Sequence, residues 1–428
     1  MSDSLPKSSK THSIKNSIFE NKESNRKPPR YGDLSRVIEL TTENLDYAYS
    51  KGIMTLYAKS ASGRSVEISD GRVIVDFARG SYLGLDNHPD IIEGAVNALN
   101  KYRSLQWSGA RTRLNFAIME ELEASLANLL QARSMVFSLV ATANMAVMPL
   151  LACGAFTKGI RPVVVFDKYA HATLSYHKAV VAENAVVMTI NHNDIEQLEN
   201  ICRNNSVVVY VADGVYSMGG CAPLPELIRL QEKYGLFLYI DDAHGISIHG
   251  KCGEGYARSH FDSMLNERTI IAASLSKGFG TNGGVLMLGS DEQENLIRRY
   301  AVPHTFSMGP SIPSVGSAIA STKIHQSLEL GQRQARLRVV IAHFDRHLST
   351  HQIGEYLPIR MVTIGDEKAA VDCAAWLLEQ GYYVVPALFP SVPQSCAALR
   401  ICLTSDHQIE EVENLCLAIK TWMNKFMM

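Results

Sequence analysis

The sequence predicts an α/β protein whose large domain is built on a mostly parallel sheet, with a smaller C-terminal domain of the α+β kind. Short apolar runs in the middle of the chain end abruptly in polar residues, which is typical of strands buried on both faces of a parallel sheet. Segments with helical signals separate these runs, as in repeated strand–helix–strand units. Near residue 320 the alternation stops, and a long helix predicted over 328–348 leads into the smaller domain.

The N-terminal part of the chain differs from the rest in composition. Residues 1–30 are rich in Ser, Lys and Asn and poor in branched apolar residues, so we expect a flexible polar tail over 1–45. An N-terminal segment follows over 46–95, and its apolar run at 73–77 predicts a strand.

The large domain is predicted to span 96–320. Apolar residues at helical spacing predict a helix over 120–130. Pro225 and Gly235 mark the two ends of another helix, because proline favours the first helical turn and glycine the position after the last. Four buried strands are predicted in this domain, over 162–166, 207–212, 236–240 and 270–273.

The small domain is predicted to span 321–428. After the long helix, apolar runs predict three strands near 359–364, 382–388 and 398–403, with helices between and after them. The sequence therefore predicts a mixed α+β unit that follows the parallel sheet in the chain.

Lys277 follows the last strand of the large domain, after a hydroxyl-rich stretch and before a glycine-rich turn. Such a lysine suits covalent chemistry as a Schiff-base former flanked by phosphate-binding hydroxyls, and the alternative is a surface lysine after a strand. The other three strands run into polar segments that begin at Asp167, Asp213 and Asp241. Parallel strands bring their carboxyl ends to one edge of a sheet, so we expect an active site there.

Charge and composition narrow the classes of function. The formal net charge of −2 gives no reason to expect a nucleic acid or an anionic membrane as the main partner. No apolar run approaches the length that crosses a bilayer, and we expect a cytoplasmic protein. The eight cysteines form no CxxC pair and show no spacing typical of zinc ligands, so reduced thiols and no metal site are expected.

Five segments carry a resemblance to a known family. They are Tyr82-Leu-Gly-Leu85, Asp213-Gly-Val-Tyr-Ser-Met-Gly-Gly220, Asp241-Asp-Ala-His-Gly245, Ser274-Leu-Ser-Lys277, and Pro390-Ser-Val-Pro393 followed by Leu399-Arg400-Ile401. In this order and spacing, they resemble the α-oxoamine synthases, which are transferases of the fold-type I (aminotransferase class I/II) group that depend on pyridoxal 5′-phosphate (PLP). That family includes 8-amino-7-oxononanoate synthase, glycine C-acetyltransferase, serine palmitoyltransferase and the CqsA-type enzymes.

The resemblance implies roles for four catalytic residues. Lys277 would hold PLP covalently and then serve as general base at the substrate α-carbon. Asp241 would keep the pyridine nitrogen protonated, and the neighbouring Asp242 would bond nearby backbone instead. His244 matches the histidine that bonds the phenolic oxygen of the cofactor, and His171 the one that stacks on its ring.

Further positions follow from the same resemblance. Ser217 would approach the phenolic oxygen or the substrate carboxylate, and Ser274 would contact the cofactor phosphate. Arg400 would clamp the amino-acid carboxylate with its planar fork. Val140 and Ala141 take the place of a Gly–aromatic pair that offers backbone N–H groups to the phosphate.

Three departures from the family pattern point to an altered choice of substrate. Gly80 stands where many members carry an asparagine that helps to hold the substrate carboxylate. The segment 108–123 is shorter than usual and lacks a histidine. Near Ser307, the usual Ser-Thr pattern that reaches the phosphate of a neighbouring subunit is missing, and Ser307 is the nearest substitute.

The resemblance implies a PLP-dependent acyltransferase. It would condense an amino acid with an acyl thioester of coenzyme A or of a carrier protein, lose carbon dioxide and release an α-amino ketone. A homodimer with active sites between its subunits is also implied. Two alternatives stay open: another PLP reaction on the same fold, such as that of an aminotransferase or a retro-aldol lyase, and a non-catalytic regulatory protein.

Overall fold

The computed structural model describes residues 31–106 and 108–427, and these residues form helices and three β-sheets. The helices are α1 (Leu34–Ser50), α2 (Pro89–Tyr102), α3 (Ala117–Leu130), α4 (Val140–Ala152), α5 (Ala172–Ser175), α6 (Lys178–Ala182), α7 (Ile195–Asn204), α8 (Leu224–Tyr234), α9 (Asp291–Tyr300), α10 (Val302–Thr305), α11 (Ile312–His325), α12 (Leu328–His347), α13 (Glu367–Glu379) and α14 (Ile409–Phe426). The strands are β1 (Ala58–Ser62), β2 (Ser65–Ile68), β3 (Val73–Asp76), β4 (Arg133–Phe137), β5 (Val163–Asp167), β6 (Val186–Ile190), β7 (Val208–Asp213), β8 (Phe237–Asp241), β9 (Thr269–Ser274), β10 (Gly284–Leu288), β11 (Ile359–Gly365), β12 (Tyr382–Tyr383), β13 (Val385–Ala387) and β14 (Ala397–Cys402).

The central sheet has seven strands in the order β4-β10-β9-β8-β7-β5-β6. Strands β6, β5, β7, β8 and β9 pair in parallel, whereas β10 pairs antiparallel with both β9 and β4. The predicted α/β class with a mostly parallel sheet is therefore confirmed. The four predicted buried strands are β5, β7, β8 and β9, which are consecutive neighbours in the sheet.

Both faces of this sheet are covered by helices. In β7, Tyr210 and Ala212 face one apolar core, which α3, α7, α8 and α11 complete, while Val209 and Val211 face a second core under α4, α6 and α9. This alternation explains why the strands read as continuous apolar runs, since neither face meets water.

The N-terminal and C-terminal parts of the chain share a third core. Strands β1, β2, β3 and β12 form one sheet, and β11, β14 and β13 form another. Phe77 and Leu83 from the N-terminal part pack in the same cluster as Leu337, Phe344 and Leu399. The structure thus joins 46–95 to the small domain by packing, and the domain boundaries given above stay predictions.

Two elements differ from the sequence prediction. Helix α1 covers 34–45 of the predicted tail, where the Asp33 side chain accepts the N–H of Arg36 and the Tyr47 hydroxyl donates to Asp372 at 2.8 Å. Residues 1–30 lie outside the described part of the chain. The strand predicted over 382–388 is divided, because β12 pairs with β3 in one sheet and β13 with β14 in another.

Helices α8 and α12 and the cysteines bear on three further sequence predictions. Helix α8 ends at Gly235 with a φ of 71°, as its glycine predicts, and α12 occupies the predicted long helix. All eight cysteines are free thiols. Within residues 31–106 and 108–427, no helix combines the length and the apolar character needed to traverse a lipid bilayer.

Candidate active site

The carboxyl ends of β7, β8 and β9 meet at one edge of the central sheet. Asp213 at the end of β7 lies opposite Asp241 at the end of β8, and Asp241 lies opposite Ala272 of β9. Lys277 follows in the turn after β9. The register of three parallel strands therefore places two carboxylates and one lysine side by side.

Lys277 lies close enough to both of these carboxylates for each to influence its pKa. Burial lowers the pKa of Lys277, because removal from water disfavours the ammonium form, while Asp241 and Asp213 act in the opposite direction. A lysine with a lowered pKa has more of its amine neutral and available as a base or nucleophile.

Asp241 is held by two donors, one of which is itself held by a third residue. Its Oδ1 accepts the N–H of Ala243 at 3.0 Å, and its Oδ2 accepts the side-chain amide of Asn144 at 2.8 Å. The carbonyl oxygen of Asn144 in turn accepts the hydroxyl of Tyr239 at 2.7 Å. Asp241 is 3% exposed, so a fixed pair of donors replaces water around its carboxylate.

The two neighbouring aspartates have different surroundings. Asp242 is fully buried, and its Oδ2 accepts the backbone N–H of Ala257 at 2.9 Å, as the sequence predicts. Asp213 accepts the backbone N–H of His171 at 3.0 Å. Burial, reinforced by the charge of Asp241, holds the pKa of Asp213 well above its ordinary value, which favours the neutral acid at this position.

His244 and Tyr82 form a buried pair. Nδ1 of His244 lies 2.7 Å from the hydroxyl oxygen of Tyr82, and both side chains are removed from solvent. Burial, together with the positive charges of Lys277 and Arg400, lowers the pKa of His244 well below its usual range. His244 is therefore a neutral imidazole whose orientation is set by a residue from the N-terminal part of the chain.

His171 caps the short helix α5 and lies closer to solvent. Its Nδ1 is 2.9 Å from the hydroxyl of Thr173, and that hydroxyl accepts the amide of Asn144 at 3.2 Å. Burial lowers the pKa of His171, and Asp241, Lys277 and Arg400 are near enough to modify it. A chain of polar contacts therefore links His171 to Asp241 through Thr173 and Asn144.

Arg400 reaches the site from β14 in the C-terminal part of the chain. Its Nη1 donates to Sγ of Cys402 at 3.0 Å, whereas its buried Nε has no acceptor within the described residues. The guanidinium of Arg400 lies close enough to Lys277, His171 and His244 for its positive charge to lower the pKa of each. The structure thus brings Arg400 together with the groups at the sheet edge.

A second part of the edge is rich in backbone donors. Ser274 ends β9 and lies opposite Gly284 of β10, which lies opposite Phe137 at the end of β4. Val140 and Ala141 follow as the first residues of α4, where the first N–H groups of a helix have no intrahelical acceptor. Anions bind readily at such a helix start.

Other predicted positions lie around this edge. Ser217 is half-buried in the loop after β7, and Ser307 is exposed in the segment after α10. Gly80 lies beside the lysine: a Cβ added there would be 3.4 Å from Cγ of Lys277 and 3.6 Å from the hydroxyl of Tyr82. No hydrogen bond joins Ser217 or Ser307 to the lysine within 31–106 and 108–427, so their roles stay predictions.

Sequence reasoning did not assign roles to several residues that hold the site together. Tyr82 lies in a segment that carries the resemblance, and a polar residue inside an apolar stretch was the available signal for Asn144. Thr173 gave no such signal, because its partner Asn144 lies 29 residues away in the chain, and Cys402 gave none although its partner Arg400 is only two residues away.

Comparisons with known proteins show which family the chain resembles. A model of the aminotransferase class I and II family matches residues 72–419. Serine palmitoyltransferase of Bacteriovorax stolpii is 29% identical over 353 residues, 81% of this chain and 81% of that protein. The 8-amino-7-oxononanoate synthase of Maricaulis maris (strain MCS10) is 31% identical over 359 residues, 82% of this chain and 87% of that protein.

A solved structure shares the fold. Serine palmitoyltransferase from S. paucimobilis, in a complex with PLP and myriocin, has a TM-score of 0.80 at 22% identity, covering 92% of this chain and 98% of its own. The chain therefore belongs to the aminotransferase class I and II family and, within it, to the α-oxoamine synthases, enzymes that use PLP to condense an amino acid with an acyl thioester.

Proposed function

We propose that this chain joins an amino acid to an acyl thioester at the edge of the central sheet, with loss of carbon dioxide, and releases an α-amino ketone. The observation that carries the proposal is the convergence of Asp241, His244 and Lys277, which end or follow the adjacent strands β8 and β9, with Arg400 from β14 of another sheet. The donor is an acyl group on coenzyme A or on a carrier protein. We place the enzyme in the cytoplasm.

The residues at this edge fit PLP. Lys277 would bind its aldehyde carbon, Asp241 its pyridine nitrogen, and Ser274 with the start of α4 at Val140 and Ala141 its phosphate. The neutral His244 suits the phenolic oxygen, and His171 lies near enough to both Asp241 and Lys277 to pack on the ring. When bound, the cofactor accepts the electron pair that remains on the substrate α-carbon.

Lys277 moves the proton in this scheme. Its amine, with a pKa lowered by burial, takes the α-proton of the amino acid at Nζ. Asn144 and Ala243 donate to the two oxygens of Asp241 and so hold its carboxylate in a fixed orientation. His244 stays neutral at physiological pH, so it can bond an oxygen without adding a second positive charge beside Lys277.

Arg400 holds the amino-acid carboxylate. Its Nε is buried without an acceptor in the described residues, and a guanidinium presents further donors in the same plane. A carboxylate that accepts from this fork would satisfy the unpaired donor. Ser217 would add a hydrogen bond from the loop after β7.

The active unit is a homodimer. Residues 104–106 and 108–116 lie beside residues 300–312, since the N–H of Ile312 donates to the carbonyl of Leu105 at 3.0 Å. They expose several large apolar side chains, among them Phe306 at 80%. Exposed apolar residues grouped in this way are typical of a protein interface. Ser307 lies in this surface and would reach the phosphate held by the partner subunit, and light scattering of the holoenzyme tests the dimer.

One experiment tests the reaction class. The visible spectrum of the PLP-loaded enzyme is recorded with single amino acids, and acyl thioesters are then added. We expect a spectral shift with one amino acid, and carbon dioxide release only after a thioester follows. Conversion of the cofactor to its amine form by the amino acid alone would instead identify an aminotransferase, and protein that takes up no PLP would refute the assignment of Lys277.

A further inference from the structure

A cluster of metal-binding side chains lies outside the residues assigned above. His343 and His347 are one turn apart on α12, and Glu413 faces them from α14. One ligand atom from each lies within 4.8 Å of the other two. The cluster therefore joins two helices that are separate in the sequence.

The orientation of His347 suits a metal ligand. Its Nδ1 is 2.9 Å from the carbonyl oxygen of His343, and because a carbonyl only accepts, Nδ1 carries the proton. Nε2 of the neutral ring then has a free lone pair. Nε2 is 4.0 Å from Oε1 of Glu413, which is beyond hydrogen-bond distance. Metal-bound histidines almost always donate their second ring N–H to a carboxylate, a water or a backbone carbonyl, as His347 does here.

The ordinary interpretation of this cluster is an ion pair between His343 and Glu413, whose Nε2 and Oε1 are 2.7 Å apart. That ion pair does not account for the orientation of His347, whose Nε2 lies 4.0 Å from the same carboxylate oxygen. Zinc bonds of about 2.0–2.1 Å in a tetrahedron separate neighbouring ligand atoms by about 3.3 Å. On metal binding, the 2.7 Å distance from Nε2 of His343 to Oε1 of Glu413 would lengthen toward this value, and the 4.0 Å distance from Nε2 of His347 would shorten toward it. The side chains of His347 and Glu413 are 37% and 45% exposed, so they have room to turn.

We propose that His343, His347 and Glu413 form a binding site for a divalent transition metal of the zinc type. Two imidazoles and one carboxylate match the donors that zinc takes with three protein ligands and one open position, whereas calcium and magnesium prefer oxygen alone. His343 presents the lone pair of Nε2 when its proton moves to Nδ1. The bound ion connects the C-terminal turn of α12 to α14 and stabilises the small domain.

The sequence predicted no metal site, because only cysteine spacings were considered. The His343-x₃-His347 spacing places both rings on one helix face and was the available signal. Glu413 follows His347 by more than sixty residues, so the third ligand is identified only by the packing of α14 on α12.

Cobalt(II) is the probe for the test, because its visible bands report ligand type and geometry. Full-length PLP enzyme without an affinity tag is freed of metal with a chelator and titrated with cobalt(II), and zinc(II) is then added as competitor. We expect one cobalt per chain without thiolate charge-transfer absorption, displacement by zinc, and a rise in the unfolding temperature with zinc. Turnover should stay the same, since no residue of the cluster belongs to the active site.

Two variants and one matched control decide the ligand set. His347→Ala and Glu413→Gln should each weaken cobalt binding at least about tenfold, the lower limit of the loss seen when even an outer-shell partner is removed. His351→Ala removes an exposed histidine four residues after His347, beyond the end of α12, and should leave binding unchanged. The proposal would be overturned if the cobalt bands were absent, or if His347→Ala and Glu413→Gln bound cobalt as tightly as the unsubstituted protein. It would also be overturned if His351→Ala lost as much cobalt affinity as those two variants.

Discussion

The side-chain amide of Asn144 donates to Oδ2 of Asp241 at 2.8 Å, and its carbonyl oxygen accepts the hydroxyl of Tyr239 at 2.7 Å. Since a carboxylate only accepts, the nitrogen of Asn144 must face Asp241. Both residues are buried, so the bond is shielded from water. Asn144 is a positioning residue that fixes the carboxylate proposed to contact the pyridine nitrogen.

Replacing Asn144 by alanine should weaken PLP binding. The change leaves Oδ2 of Asp241 and the hydroxyl of Tyr239 without their partner, and an unsatisfied buried group costs about 1–3 kcal/mol, or roughly 5- to 150-fold in affinity. The dissociation constant of PLP, measured by absorbance after dialysis, checks this. Tyr239→Phe is the control, because it keeps the bond to Asp241; an equal loss in both variants would contradict a specific role for Asn144.

The lowered pKa of Lys277 predicts how its covalent capture of PLP depends on pH. Burial lowers the pKa of Lys277 from 10.5, so its amine should react with PLP at a lower pH than an exposed lysine does. Borohydride reduction at a series of pH values, followed by mass spectrometry, measures the covalent capture of PLP. Capture should increase as pH rises through this lowered pKa. Lys277→Ala should show neither capture at this site nor turnover, and full turnover in that variant would refute the mechanism.

Substitution of Arg400 should act on the amino acid and much less on the thioester. Arg400→Ala removes the proposed carboxylate clamp and should weaken amino-acid binding by roughly 2–5 kcal/mol. Arg400→Lys keeps the charge but loses the planar fork, so an intermediate effect is expected. Initial-rate kinetics with each substrate varied in turn measure both effects.

Cys402→Ser is the matched control for Arg400. A serine hydroxyl still accepts from Nη1, so the orientation of the guanidinium and the KM for the amino acid should change little. An amino-acid KM that is unchanged in Arg400→Ala would contradict the clamp.

The strand ends at the active site could be predicted from the sequence because each strand carries its own signal. Asp213, Asp241 and Lys277 all follow apolar runs that are buried on both faces, and parallel pairing then brings them to one edge. No information from distant parts of the chain is needed for that step.

Other parts of the site depend on contacts between distant residues. Strand β10 lies antiparallel between β4 and β9. Its apolar run predicts a strand but indicates neither the direction of that strand nor its neighbours in the sheet. The pairing of Tyr82 with His244 and the proximity of Arg400 to Lys277 follow from the packing of the N-terminal and C-terminal parts on the sheet edge. Helix α1 was missed because its surface is mostly polar and only Thr41 and Ala48 are buried.

Gly80 should influence the choice of amino acid. A Cβ there would make ordinary contacts with Lys277 and Tyr82 at 3.4 and 3.6 Å, so Gly80→Ala should fold normally. The added methyl group narrows the space beside the reacting amine, so kcat/KM should fall more for larger amino acids than for glycine. Gly331→Ala is the control, since a Cβ at that helical position meets nothing within 4 Å. An unchanged ratio of kcat/KM values across amino acids would contradict this role.

The last prediction concerns stability in acid and rests on His407. Its ring is fully buried and stacked on Phe77 at 4.0 Å. Nδ1 accepts the N–H of Thr404 at 3.1 Å, and Nε2 donates to the carbonyl of Asp76 at the same distance. A second proton would have to occupy Nδ1, where a donor already points. Burial accordingly lowers the pKa of His407 from 6.5 to about 3.

Because the unfolded chain binds this proton more readily than the folded one, the contribution of His407 to stability is complete above pH 6.5 and decreases as pH falls toward 3. The loss is about 1.4 kcal/mol per pH unit over that window. His407→Asn should reduce stability at pH 8, where packing is lost, but should flatten the decline between pH 6 and pH 4. Urea midpoints at several pH values, with the same excess of PLP throughout, measure both effects. Equal slopes in the two proteins would show that His407 does not titrate on unfolding, and the acid sensitivity would then belong to other buried histidines such as His325, whose pKa burial lowers to about 4.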